Sequence, residues 1–138
     1  MSEMKNVEEY LGRFVDSYVE CIIWTDEDSI KEGMSDNGED PDTLELTREN
    51  FQAESLREIE IQSRDFVVAN WDDLQEYSKT GRTADFAGQD FVLSRNGHGT
   101  GFWDRGAGDL GDRLHEAAKV YGEASLYLGD DGRIYHQS

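Results

Sequence analysis

The sequence predicts an α+β fold: N-terminal acidic helices packed on a small antiparallel sheet of two hairpins with an intervening helix. Three observations carry this reading. Apolar residues of the first half recur at spacings of three and four. In the second half the period shortens and glycine-centred turns appear. Charge and glycine divide along the same line, with net −15 and three glycines in residues 1–80 against net −3 and eleven glycines in residues 81–138. At 138 residues the chain has the size of a single domain, 1–138, able to bury a core without metals or disulfides.

Residues 7–23 predict the first helix, because Val7, Tyr10, Leu11, Phe14, Val15, Tyr18, Val19 and Ile22 fall on one face. Asn6 with Glu9 forms a capping-box pattern at its start. Residues 25–42 read as a loop, poor in apolar side chains and holding the only proline, Pro41. Ile30 and Met34 are its candidate anchors. The main helix is expected over residues 43–69, capped by Asp42 or Thr43. Leu44, Thr47, Phe51, Ser55 or Leu56, Ile59, Ser63, Phe66 and Val67 trace its face. A bend near Asn70 leads into a second helical face at Trp71, Leu74 and Tyr77.

Thr83 to Ala87 reads as one more turn, with Gly88 just past its end. Residues 90–95 read as a strand, Asn96-Gly97 as a hairpin turn and residues 100–103 as the returning strand. Residues 109–121 give an amphipathic helix with Leu110, Leu114, Ala117, Ala118 and Tyr121 inward, ended by Gly122. Residues 123–128 and 133–135 pair across the turn Gly129-Asp130-Asp131-Gly132.

The net charge of −18 exceeds what solubility requires and opposes nucleic acid and anionic lipid as direct partners. It favours basic proteins or divalent cations. The lone Cys21 sits among Val19, Ile22 and Ile23 and is expected to be a buried small hydrophobe. No apolar run approaches the ~18 residues of a membrane span, and the N-terminal acids do not fit a signal peptide, so the expected location is the cytoplasm.

Candidate chemistry concentrates in residues 95–106, RNGHGTGFWDRG. Its glycines lack the Lys-Ser/Thr of a phosphate-binding loop. His98 and Asp104 are the nearest approach to a metal pair, but no zinc-type spacing joins them to His115 or His136. The acid runs Asp26-Glu27-Asp28, Asp36-Asn37-Gly38-Glu39-Asp40 and Asp130-Asp131-Gly132 lack the full calcium-loop pattern. No cofactor, metal site or catalytic residue is therefore expected. The segment reads as a structural corner, with His98 bonded to Asp104 and Arg105 paired with Asp109 or Asp112. The alternative is a recognition loop presenting Arg95, His98, Trp103, Asp104 and Arg105 to a small ligand or substrate.

The stretch DFVLSRNGHGTGFWDRG, residues 90–106, followed by GDLGDRLHEAAKVYGEASLYLGDDGRIY, residues 108–135, resembles a family of small acidic proteins of bacteriophages and bacteria. The resemblance assigns no residue a role. It implies a phage-like setting, in which small acidic proteins often inhibit host DNA-handling enzymes. The functional expectation is thus a non-catalytic interaction module for a basic protein, in its sharpest form a DNA mimic. Glu45, Glu49, Glu54, Glu58, Asp65, Asp72 and Glu76 are the candidate contact residues, since nucleic-acid-binding proteins gain affinity by neutralising rows of negative charge.

Overall fold

The computed structural model describes residues 2–36 and 46–138, with side chains from residues 6–33 and 46–138. Pro41, Asp42, Thr43, Leu44 and Glu45 lie outside the described residues. The elements are α1 (Ser2–Asp36), a 3-10 turn (Arg48–Asn50), α2 (Ala53–Ala69), α3 (Trp71–Ser78), α4 (Ala84–Asn96), a second 3-10 turn (Phe102–Asp104), α5 (Asp109–Lys119), β1 (Ser125–Leu128) and β2 (Ile134–Gln137). The fold is α+β, mostly helical with a small antiparallel sheet.

Helix α1 begins before Asn6 and runs on through the expected loop to Asp36, about 52 Å at 1.5 Å per residue. Its apolar stripe does not stop at Ile22, because Ile30 lies eight residues further on and is fully buried. Glu27 and Lys31 pair at 2.7 Å across one turn. The decisive contact is remote: the Asp26 carboxylate accepts the backbone N–H of Leu126 at 2.7 Å. The polar C-terminal half of α1 is helical because β1 packs on it.

The main helix starts at Ala53 rather than residue 43. Thr47 caps the preceding 3-10 turn through a capping box with Asn50. Ser55, Ile59, Ser63, Phe66 and Val67 face the core along the expected stripe. The bend is at Asn70, which separates α2 from α3.

The first hairpin does not form. Residues 90–95 belong to α4, a helix buried on most sides, and residues 100–103 lead into a 3-10 turn. Gly88 is not a helix end. It lies inside α4 where that helix crosses α1, and a Cβ placed on it would stand 2.0 Å from the Phe14 carbonyl oxygen. Only glycine lets the two backbones meet so closely. Gly97 ends α4 in the left-handed conformation, φ +65°.

The second hairpin forms, with Leu126 opposite His136 and Tyr127 opposite Tyr135. Phe51 makes a parallel bridge to Ile134 on the other side of β2, so β2 is flanked on both edges. The core is aromatic. Phe66 stacks on Phe91 at 4.4 Å between ring centroids, and Phe14, Tyr18, Phe102 and Tyr121 pack around that pair.

Candidate functional site

The residues of the RNGHGTGFWDRG segment mostly turn inward. Arg95 is 3% exposed. Its guanidinium donates to the carbonyls of Gly122 at 2.7 Å and Tyr121 at 2.9 Å, just beyond the C-terminus of α5. It also lies over the rings of Phe91 and Tyr121. Asn96 exchanges two hydrogen bonds with the backbone of Ala124, at 2.8 and 2.6 Å. The Phe102 N–H donates to Ser94 Oγ at 3.0 Å, and Gly101 lies against the Ser94 backbone.

Asp104 bonds to Thr100 Oγ1 at 2.9 Å and to the Gly101 N–H at 3.0 Å, so the expected His98–Asp104 bond is replaced by a local loop closure. Arg105 pairs with Asp90 at 3.1 Å and not with Asp109 or Asp112, because Asp90 is buried and needs a counter-ion. His98 is exposed, and Trp103 is 44% exposed.

Two buried polar clusters emerge. In the first, Asp90 on α4 accepts from Tyr77 Oη at 2.5 Å, Arg82 Nη2 at 3.0 Å and Arg105 Nε at 3.1 Å. The Asp90 side chain has no exposed surface. It ties α3 and the loops on both sides of α4 to one carboxylate. In the second, Tyr18 Oη meets His136 Nε2 at 2.7 Å, and His136 Nδ1 meets Glu58 Oε1 at 2.9 Å. Arg95 donates to Tyr18 Oη at 3.1 Å and to Gln62 at 2.8 Å. Gln62 donates to Ser138 at 2.7 Å, and Ser138 donates to Glu58 at 2.9 Å, closing a ring.

Arginine can only donate, so the hydroxyl proton of Tyr18 points to His136 and the other imidazole nitrogen donates to Glu58. Burial pushes the Tyr18 phenol up and the Cys21 thiol up to about 12. Both therefore stay protonated and neither is an activated nucleophile. The ring joins α1, α2, α4 and β2.

Burial lowers the pKa of His136 from 6.5, and Arg95 acts in the same direction, against the raising influence of Glu58 and Asp26. The folded state thus binds fewer protons than the unfolded chain at mildly acid pH. His136 contributes stability above its unfolded pKa and loses it as pH falls through that value towards the folded one. We predict that wild type exceeds His136→Gln in stability at about pH 8 and that the gap narrows by about pH 5.5. Urea midpoints of both proteins across that range check it; a gap that widens on acidification overturns it.

The acidic candidates scatter in their engagements. Glu58 is half-buried on His136, Asp65 accepts from Tyr121 Oη, and Glu76 pairs with Lys79 at 2.8 Å. Glu49, Glu54 and Asp72 are exposed, and their carboxylates have no ion-pair partner among the described residues. Glu9, Glu20 and Asp28 on α1, outside the expected contact set, are in the same condition. Among the described residues no three His, Cys, Asp or Glu side chains gather as metal ligands, and no helix is long and apolar enough to cross a membrane. The described grooves run along α1 against α2, α3 and the Leu46–Arg48 segment. Searches against family models, curated proteins and solved structures return no match.

Proposed function

We propose that the protein is a non-catalytic interaction module that binds a basic surface of a partner protein. One observation carries this reading: the buried charged groups have hydrogen-bond partners, whereas several surface carboxylates have no ion-pair partner among the described residues. Asp90 and Arg95 are buried with full sets of partners. On the outside, Glu9, Glu20, Asp28, Glu54 and Asp72 have no cation beside them among the described residues. With net charge −18, such a surface costs self-repulsion that a cationic partner relieves. A nucleic-acid-binding protein has the fitting chemistry, because its basic face is built to meet rows of negative charge.

The test begins with capture from a host lysate beside an acidic control protein of equal charge. Association of the captured partner with a Glu20→Lys, Glu54→Lys, Asp72→Lys triple variant is then measured. We expect association about tenfold slower, and slower again for wild type in added salt, with the fold retained. Capture of only the proteins that the control also captures counts against specific recognition.

A further inference from the structure

Of the three tryptophans, two have a place in the fold. Trp71 sets its ring edge-on to Tyr10 at 5.4 Å, and Trp103 meets His115 at 6.2 Å. Trp24, on α1, is 75% exposed, and its side chain has no hydrogen-bond, aromatic or cationic partner among the described residues. Ile22 and Ile23 hold this turn of α1 to the core, so the indole is not needed there. A ring of this size left in water forgoes the burial that stabilises the rest of the chain.

The indole stands between two carboxylates at helical spacing. Glu20 precedes it and Asp28 follows it by four residues, about 6 Å along the axis in each direction. Both are exposed, and neither has an ion-pair partner among the described residues. Neighbouring cations are engaged elsewhere. Arg13 turns to Asp85 at 3.8 Å, and Lys31 holds Glu27 at 2.7 Å. Arg48, which lines a groove beside Glu20, lies between Asp16 and Glu60.

We propose that Trp24, Glu20 and Asp28 form the anchor on which a basic partner protein docks, with one arginine of the partner stacked on the indole and others on the two carboxylates. This anchor rests on the interaction reading above and names its surface. Ring and charge together select arginine. A guanidinium stacks flat on an aromatic face and meets carboxylates as a fork, whereas the lysine ammonium is a compact, strongly hydrated point charge. Tryptophan and arginine are also the side chains in which binding energy concentrates at interfaces. A second copy of this chain is disfavoured as the occupant, since it brings the same carboxylates and a net charge of −18.

The probe is an alanine-based peptide of about 18 residues with arginines at four-residue spacing, and the control is the same peptide with lysines. Each is titrated into the full isotope-labelled chain and followed through backbone amide and indole N–H shifts. The arginine peptide is expected to bind about fivefold more tightly, with its largest shifts at the Trp24 indole and at Glu20 and Asp28. Trp24→Ala should bring the two peptides to near-equal affinity, and Trp24→Tyr should keep part of the preference. Both variants should melt within about 2 °C of wild type, because the ring supports no core contact. Glu20→Gln combined with Asp28→Asn should weaken both peptides and leave arginine preferred. An arginine preference that is absent in wild type, or undiminished in Trp24→Ala, overturns the anchor and leaves charge-driven binding standing. A dimer that forms with concentration and is lost in Trp24→Ala also overturns it, by giving the indole to a second copy. Failure of both peptides to bind even at low salt overturns the anchor and the interaction reading together.

Discussion

Gly88→Ala is expected to destabilise the protein by about 3 kcal/mol, although alanine is the better helix former by about 1 kcal/mol. The added methyl carbon would meet Phe14 O at 2.0 Å, Ser17 Oγ at 2.1 Å and Tyr18 N at 2.8 Å. Two of these are backbone atoms of α1 and have no rotamer by which to move aside. Ser17 is also engaged, donating to the carbonyls of Phe14 and Ala84 at 3.0 Å each. Relief requires α1 and α4 to separate, which loosens the packing of Phe14 and Tyr18 on Phe91. Urea denaturation should show a midpoint lower by about 1–2 M at unchanged slope. A midpoint that rises would mean the helices have room at this crossing.

The second large effect is expected at Asp90. Asp90→Asn keeps the shape and removes the charge, leaving Arg82 and Arg105 facing each other without an anion between them. Breaking a buried ion pair from one side costs about 3–5 kcal/mol. The arginine side chains are 23% and 27% exposed, so water offsets part of the loss and the lower end, about 3 kcal/mol, is expected. Tyr77 Oη also exchanges a carboxylate acceptor at 2.5 Å for a weaker amide oxygen. Adding Arg82→Met to Asp90→Asn should recover part of the stability, because Arg82 pairs with no other carboxylate among the described residues, whereas Arg105 keeps Asp104 at 3.6 Å. A single variant with the wild-type midpoint would show that both guanidinium groups are already satisfied by solvent.

These two residues also mark where the sequence was legible. Local signals read correctly: the stripe from Val7 to Ile22, the bend at Asn70, the amphipathic α5 and the turn at residues 129–132 each depend on neighbours within a few positions. Failure came where a remote partner decides the conformation. Asp26 and its surroundings are helical through a bond to Leu126, and α4 is a helix enclosed by α1, α5 and the aromatic core. A short helix buried on most sides has no polar face, so its run of Phe91, Val92 and Leu93 reads equally well as a strand. One signal was available: Asp90 and Arg95 flank that apolar run, and a charge inside a buried segment implies a fixed partner. The segment reads as a candidate recognition loop in sequence because turn glycines alternate with Arg95, His98, Trp103, Asp104 and Arg105. The acceptors of its arginines, Asp90 and the carbonyls of Tyr121 and Gly122, are identified only by the fold.

The position of β2 has a consequence for how the chain is made. It lies between β1 and Phe51, and its His136 joins α1 to α2 across the core. Helix α1 leaves the ribosome before β1, and Asp26 waits for Leu126, 100 residues later. At about 5–20 residues per second this is a delay of about 5–20 seconds. Through that interval the stripe of Phe14, Tyr18 and Ile22 has no completed core to enter. The acids of α1 set like charge beside that stripe, so two unfinished copies approaching through it repel each other.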